Sequence, residues 1–190
     1  MHILDSSSDI IDQLQKSNIS TEMRSLEASD WLVCEKHGDK ILGAAGIGGI
    51  FHTSSIFIDQ ASRGKGYGKK IQQELIDEAK KRNYSFVTVL VDPRNTSSIK
   101  MHDDLGYDTI FRIHYSEKII QDIKIIVFKK KGLLVKNLLT CFNTKLGNFF
   151  LACMLKIFRN YFKKIFSYDE DEIPNLNFKL CIRNFEKIKF

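Results

Sequence analysis

The chain has 190 residues, of which 43% are hydrophobic and 27% are charged, and its formal net charge is +6. This length is sufficient for one domain with a stable core plus an extension. Its four cysteines show no paired spacing, its five histidines show no metal-ligand pattern, and no apolar leader begins the sequence, so we expect a cytoplasmic protein with reduced thiols and no metal.

The first part of the chain predicts short elements followed by a hairpin. We expect a strand at His2–Leu4, a helix around Ile10 and a second helix over Ser20–Leu26. The apolar runs Trp31–Lys36 and Ile41–Ile47, joined by a turn that contains glycine, indicate a β-hairpin. The second run is rich in glycine, but no helix follows it, which favours close strand packing over a phosphate-binding loop.

The most specific feature is the loop Arg63-Gly-Lys-Gly-Tyr-Gly68. A predicted strand at 54–59 leads into it, and a predicted amphipathic helix at 68–83 follows it. Such a loop aims free backbone N–H groups and the positive end of the helix dipole at one point, which binds phosphate. Lys69 and Lys70 oppose the dipole, and a bound polyanion would reverse that cost. An ordinary glycine turn with a solvated basic edge is the alternative.

A strand, a short helix and another strand come next. Residues 85–92 form an apolar, β-branched run that is typical of a buried strand. The resulting strand–helix–strand unit predicts a right-handed crossover between parallel strands. Asn95 is expected to cap a helix over Thr96–Leu105 that Gly106 ends, and Tyr107–Ile113 is expected to be a strand.

The loop departs from the two common nucleotide motifs. The chain contains no G-x-x-x-x-G-K-[ST] string, and Lys69 stands where the pattern G-x-G-x-x-G needs its third glycine. A dinucleotide site stays an alternative, because Asp92 could act as the acid that binds the ribose. The loop instead satisfies R/Q-x-x-G-x-G/A, and residues 95–107 satisfy N-x-x-[AS]-I-x-x-[YH]-x-x-x-G-[FY]. Together the two motifs resemble the acetyl-CoA site of the GNAT superfamily of N-acetyltransferases, over about residues 30–115.

The resemblance implies an α/β, GNAT-like acyl-CoA N-acyltransferase fold with a mixed, splayed central sheet and a C-terminal helical extension. We expect the acetyltransferase domain at residues 1–131 and a basic, aromatic-rich extension at residues 132–190. In this family acetyl-CoA is the co-substrate: strand backbone pairs with its pantetheine arm, and loop N–H groups hold its pyrophosphate. The cofactor-binding residues implied are Phe57, Ile58, Asp59, Arg63, Gly64, Lys65, Gly66, Tyr67, Gly68, Lys69, Asn95 and Ser98.

The implied reaction is direct attack by a primary amine of a small molecule or peptide on the thioester in a ternary complex. A backbone N–H near Ile58 would polarise the carbonyl, and His102, where the family more often has tyrosine, would protonate the leaving thiolate. His52 takes the position of the family's glutamate base on the predicted strand, and Glu35 or water are the other candidates. Structural roles are the alternatives: Asn95 could be only a helix cap, His102 only a packing residue and His52 only a surface histidine.

The acceptor and the use of the site have alternatives. A short N-terminal part implies an open groove that suits a peptide, whereas a histidine at position 102 favours a small amine. A non-catalytic acyl-CoA-binding or sensing protein would keep the loop without the proton chemistry. A membrane-associated, longer-chain acyltransferase would use the extension as an anchor.

The extension differs from the core in charge. Residues 1–123 carry 15 Lys and Arg against 18 Asp and Glu, whereas residues 124–190 carry 14 against 5. We expect a last strand at 124–129 and helical structure over 132–166, in which the most apolar stretch is too short to span a bilayer. The extension could pack on the core or a second copy, lie on a membrane surface, or bind nucleic acid, for which no base-reading motif is present. Because it is apolar around much of its helix, we expect it to cover the sheet and form a homodimer.

Overall fold

The computed structural model describes residues 2–5, 26, 29–38, 40–114, 119–157 and 183–189. Both helices predicted before residue 27 lie outside the described residues, apart from Leu26. The described residues divide into two compact units, one that ends at Asn83 and one that begins at Tyr84.

The first unit consists of an antiparallel sheet and one long helix. Its strands pair in chain order and are β1 (His2–Asp5), β2 (Trp31–His37), β3 (Lys40–Gly48) and β4 (Thr53–Ile58). A 3₁₀ turn, Gln60–Ser62, precedes helix α1, Tyr67–Lys81. The predicted hairpin, and the predicted strand and helix on either side of the loop, are confirmed.

Helix α1 buries an apolar stripe on strands β2, β3 and β4. The stripe follows helical spacing, and its members are at most 1% exposed: Ile71, Leu75, Ile76 and Ala79. Close packing of the glycine-rich strand is confirmed, because a Cβ at Gly43 would lie only 2.7 Å from Ile71 Cδ1. Just after the helix, the Arg82 guanidinium lies 4.8 Å from the ring centroid of Trp31, the chain's single tryptophan, which is 1% exposed.

The second unit combines a three-stranded antiparallel sheet with three helices. The strands lie in the order β5 (Phe86–Val91), β7 (Ile120–Val127), β6 (Asp108–His114). The helices are α2 (Thr96–Asp104), α3 (Lys130–Thr140) and α4 (Lys145–Ile157). Because β7 lies between β5 and β6, both of its edges are paired and its central side chains are buried.

Two sequence predictions are wrong in their boundaries. Strand β7 starts at Ile120, and its pairing with both neighbours places Lys124 in the middle of the strand instead of at its start. Strand β4 starts at Thr53, so His52 lies outside the strand on which the prediction placed it. The His52 N–H donates to the Gly49 carbonyl at 3.0 Å, and φ of His52 is 49°, because the residue closes a turn.

The helices of the extension belong to the second unit. Helix α3 starts at Lys130, two residues before the expected boundary, and packs on β6 and β7. Its backbone approaches so closely at Gly132 that a Cβ there would lie 2.2 Å from the Ser85 carbonyl oxygen. In α4, Asn148 Nδ2 donates to the Arg112 carbonyl of β6 at 2.8 Å. The first two helices of the extension therefore cover part of this sheet.

The same helices carry an exposed apolar face. Its eight members are 37–79% exposed and are Leu133, Leu134, Leu138, Leu146, Phe149, Phe150, Met154 and Ile157. Among the residues that the structure describes, Ile50 is the one other large apolar side chain with comparable exposure. No helix within the described ranges has the length and apolar character needed to cross a bilayer.

Candidate functional site

The predicted phosphate loop is an open turn at the start of α1. Gly64 and Gly66 have φ values of 76° and 83°, in the left-handed region that glycine adopts without strain. A Cβ on either glycine would meet no atom within 4 Å, so free space lies beside the backbone at both positions. Gly66 is also the N-cap of α1 and has no side chain to cap the helix. The first N–H groups of α1 have no acceptor within their own helix and therefore lie beside this free space.

The charges at this helix start are mainly positive. The first turn of α1 contains no acidic residue, and Lys65, Lys69 and Lys70 are exposed. Positive side chains beside the positive end of the helix dipole are unfavourable by about 0.3–1 kcal/mol each. A bound polyanion would turn this repulsion into attraction, so the loop's charge and its shape both fit a pyrophosphate.

The backbone at the end of β4 has a defined direction. The Asp59 N–H donates to the Leu42 carbonyl at 2.9 Å, which directs Asp59 toward β3. Antiparallel alternation then directs the N–H and C=O of Ile58 away from β3 and those of Phe57 toward it. Arg63 Nε donates to the Ile58 carbonyl at 3.2 Å. Of the three strand residues predicted to meet pantetheine, Ile58 is thus the one whose backbone points outward from this pairing.

Glu35, a predicted base candidate, lies on β2 in an ion pair with α1. Lys70 Nζ lies 2.7 Å from Glu35 Oε1, and the glutamate side chain is 14% exposed. The hydrogen bond from Lys70 lowers the pKa of Glu35. A carboxylate with a lowered pKa is a weaker proton acceptor, so this pairing opposes a role as general base.

His52, the other base candidate, is half-buried in the turn before β4. Burial lowers the pKa of His52, although the charge of Asp30 works in the opposite direction. A neutral imidazole suits a base at pH 7, but the turn removes this one from the strand face on which the prediction placed it.

In the second unit, Asn95 acts as the cap of α2. Its Oδ1 accepts from the Ser98 N–H at 3.1 Å. One turn further along, the Ser98 carbonyl accepts from His102 Nδ1 at 2.8 Å. The cap and the next turn therefore form a continuous set of hydrogen bonds that ends at the imidazole.

His102 is 1% exposed and has two chemically different nitrogens. Because a carbonyl oxygen can only accept, Nδ1 carries the proton of the neutral ring. Nε2 has no hydrogen-bond partner among the residues that the structure describes, and the Tyr107 ring packs edge-on with centroids 5.2 Å apart. Burial lowers the pKa of His102, and the hydrogen bond to Ser98 opposes this effect. The ring is therefore neutral at pH 7, with a lone pair on Nε2 that can accept a proton.

Sequence reasoning did not single out two buried polar residues. Gln72 of α1 is fully buried and donates to Ser54 Oγ at 2.9 Å. Lys124 of β7 is 1% exposed. The signal for Lys124 was a charged residue within the apolar run Ile123-Lys124-Ile125, and the signal for Gln72 was a polar residue between Ile71 and Leu75 on the apolar face of the predicted helix.

Comparison with known proteins places the chain in a family. A model described as the acetyltransferase (GNAT) family matches residues 5–107, more than half of the chain. The chain belongs to the acetyltransferase (GNAT) family. The matched region contains the whole glycine loop and all of α2 with its cap. Within the described parts of the chain, no group of three or more His, Cys, Asp or Glu side chains could hold a metal ion.

Individual relatives agree with this assignment. The L-methionine sulfoximine/L-methionine sulfone acetyltransferase of Salmonella typhimurium is 32% identical over 94 residues, which cover 45% of this chain and 54% of that protein. The L-amino acid N-acyltransferase MnaT of Escherichia coli is 31% identical with the same coverage. The chain thus spans about half the length of these curated relatives. The Salmonella typhimurium protein yncA, solved with its cofactor acetyl-CoA, matches 68% of this chain and 95% of its own at 16% identity and a TM-score of 0.52, which confirms the predicted fold.

Proposed function

We propose that this protein transfers the acetyl group of acetyl-CoA to a primary amine of a small molecule or peptide. The observation that carries the proposal is the open turn at the start of α1, where Gly64 and Gly66 leave free space beside their backbone. Exposed lysines surround this turn and no acid lies in the first turn of the helix. Family membership and the yncA complex with acetyl-CoA support the same co-substrate.

The proposed contacts follow from the backbone. A side chain at position 66 would fill the space that phosphate oxygens need to reach the N–H groups of α1. The Ile58 backbone, directed away from β3, is the proposed partner of the pantetheine arm. Asn95 and Ser98 keep their proposed place in cofactor binding. When bound, acetyl-CoA supplies a thioester carbonyl for the amine to attack and a thiolate that leaves.

We assign the proton transfers to His102. Its Nδ1 proton is engaged by the Ser98 carbonyl, so Nε2 is the atom that can exchange a proton. The amine loses one proton as the C–N bond forms, and the thiolate gains one as the C–S bond breaks. A ring that accepts the first proton on Nε2 and returns it to sulfur balances the reaction. His52, Glu35 and water are the other candidates for accepting the amine proton, and the ion pair with Lys70 disfavours Glu35.

The names of the relatives guide the choice of acceptor. One relative is named for methionine sulfoximine and methionine sulfone, and the other for L-amino acids. Both names point to the amine of an amino acid or of its derivative. We therefore propose this class as the first to test, with peptide N-termini as the second.

The experiment offers the purified protein acetyl-CoA together with a pool of free amino acids, amino-acid derivatives, small amines and peptides. We expect amine-dependent release of CoA and acetylated products detectable by mass spectrometry. Longer acyl-CoA thioesters tested in parallel would reveal a preference for longer chains. Tight acetyl-CoA binding without turnover would favour the non-catalytic alternative, and absence of both binding and transfer would refute the proposal.

We also propose that a second copy of the chain covers the exposed apolar face of α3 and α4. Eight large apolar side chains exposed on two consecutive helices are more than soluble monomers usually leave uncovered in one region. Lys130, Lys131 and Lys145 lie in the first turns of these helices and Lys136 pairs with Asp108, whereas the exposed face is mainly apolar and can pair with itself.

A charged substitution tests this interface. Leu138→Glu should convert a dimer to a monomer in light scattering, whereas Ile50→Glu, at the exposed apolar residue outside the extension, should not. Truncation after Lys131 should give poorly soluble protein, because it uncovers β6 and β7. A monomeric full-length protein that sediments with anionic vesicles in a salt-sensitive way would support a membrane-surface role instead.

A further inference from the structure

The least expected charge in the second unit is a lysine in the middle of a sheet. Lys124 lies on β7, opposite Val89 of β5 and Thr109 of β6, and is 1% exposed. Its Nζ donates to Asp103 Oδ1 at 2.6 Å and to Thr109 Oγ1 at 2.7 Å. The ammonium is thereby tied to both α2 and β6.

Stability alone does not account for this arrangement. Taking an ammonium group out of water costs several kcal/mol, and an apolar side chain of similar volume commonly serves the fold as well. Val89, directly opposite Lys124 on β5 and so on the same face, is 3% exposed and shows that this face accepts apolar side chains. A buried lysine paired with a half-exposed aspartate is better explained by what the pair positions or by the charge that it supplies.

The ion pair is linked to His102 through helix α2. Asp103 is the next residue of α2, so its bond to Lys124 holds the last turn of the helix that carries the imidazole. The Tyr107 N–H donates to the His102 carbonyl at 3.0 Å, and the Tyr107 ring packs edge-on against the imidazole. The Ser98 carbonyl therefore fixes the side chain of His102, and the Tyr107 N–H fixes its backbone.

The two members of the pair also have opposite electrostatic effects on the imidazole. Burial is the largest influence and lowers the pKa of His102, the positive charge of Lys124 lowers it further, and the negative charge of Asp103 raises it. Within the described residues, these are the charged groups on α2 and β7 that act on the ring, and Tyr107 is the neighbouring titratable side chain.

We propose that Lys124 and Asp103 are positioning residues that together fix the orientation of His102 and set its charge state. This inference rests on the proposed function, since it assigns the pair a role in proton transfer by His102. The ion pair orients the helix turn, and the balance of its charges determines the pH at which the ring gains a second proton.

The test follows the titration of His102 by NMR in the free protein, so it needs neither co-substrate nor turnover. Lys124→Met keeps the length of the side chain and removes its charge, and should raise the pKa of His102. Asp103→Asn keeps an oxygen that can accept from Lys124 Nζ and removes the opposing charge, and should lower the pKa of His102. Lys124→Arg restores the positive charge and should bring the titration back toward the wild type.

A matched control lies on the same strand. Asp122 is 4% exposed and pairs with Arg112 at 2.6 Å, so Asp122→Asn disturbs another ion pair that has a buried member on β7. It should lower thermal stability and leave the titration of His102 unchanged. Opposite shifts for the two test variants, with none for the control, support the proposal because a purely structural role cannot change sign.

Shifts in the same direction, or no shift in either variant, would overturn it. Asp103 is half-exposed, so Asp103→Asn alone decides the question if Lys124→Met does not fold. In the acetyl-transfer assay, the acidic limb of the pH–kcat profile should move in the same direction as each titration. A wild type that neither binds nor transfers acetyl groups would refute the proposed function, while the titration would still report on the ion pair.

Discussion

The glycine loop of the first unit and the cluster around β7 in the second unit use charge in opposite ways. In the loop, lysines are exposed beside open backbone. In the cluster, Lys124 is buried and bonded to Asp103 and Thr109, and Asp103 is the residue next to the buried imidazole of His102. Exposed charge attracts a ligand and is screened by salt, whereas buried charge changes proton affinity in a fixed geometry. Under the proposed function, cofactor affinity depends on the loop and proton transfer depends on the cluster, so substitutions should change one without the other.

The largest expected effect is loss of acetyl-CoA binding in Gly66→Glu. The new carboxylate would occupy the free space beside the helix start and repel the pyrophosphate. Isothermal titration calorimetry measures the affinity. Gly38→Glu is the matched control, because Gly38 also has a positive φ of 58° and no atom within 4 Å of a Cβ. Equal affinity in the two variants would contradict the role of the loop.

The next effect concerns turnover. His102→Phe should lower kcat by about 10²-fold or more, because it removes the proton carrier, and should leave acetyl-CoA affinity within a few-fold. His102→Tyr should recover part of the rate, since a phenol can also donate a proton. The control is His114→Phe, at a histidine of β6 that is 6% exposed. Unchanged turnover in His102→Phe would show that His102 only packs against its neighbours. It would also contradict the proposal that the second unit supplies the proton transfer.

The smallest effect is expected for Glu35→Gln. Because the hydrogen bond from Lys70 lowers the pKa of Glu35, the residue is a poor base, and turnover should change by less than about tenfold. The lowered pKa also means that the pair stabilises the fold above the unfolded-state pKa of glutamate, and that this contribution disappears as pH falls through the folded-state value. Melting curves of wild type and variant should therefore differ at pH 7 and converge in acid. A larger loss of turnover would identify Glu35 as the base.

The sequence predicted the loop well because its determinants are local. Glycines, a following amphipathic helix and a preceding apolar run all lie within a short stretch, and each favours the same structure. The cap at Asn95 is equally local, since its acceptor and the N–H of Ser98 are three residues apart. These are the parts of the candidate site that the structure places as expected.

The remaining features depend on contacts between distant residues. Lys124 was predicted to start a strand, and its burial depends on Asp103 and Thr109, which are 21 and 15 residues away in the sequence. His52 falls outside the strand because its N–H bonds back to the Gly49 carbonyl and closes a turn. A shift of one residue reverses the face of a strand side chain, so a small boundary error removes a predicted site residue.

The position of the single tryptophan has a spectroscopic consequence. Trp31 lies in the first unit, is 1% exposed and has a guanidinium 4.8 Å from its ring centroid. Its fluorescence emission therefore reports on this unit, and exposure to water on unfolding should shift that emission to longer wavelength. Circular dichroism follows the helices and strands of both units. Denaturation curves from the two signals will coincide if the units unfold as one cooperative structure and separate if each unfolds independently.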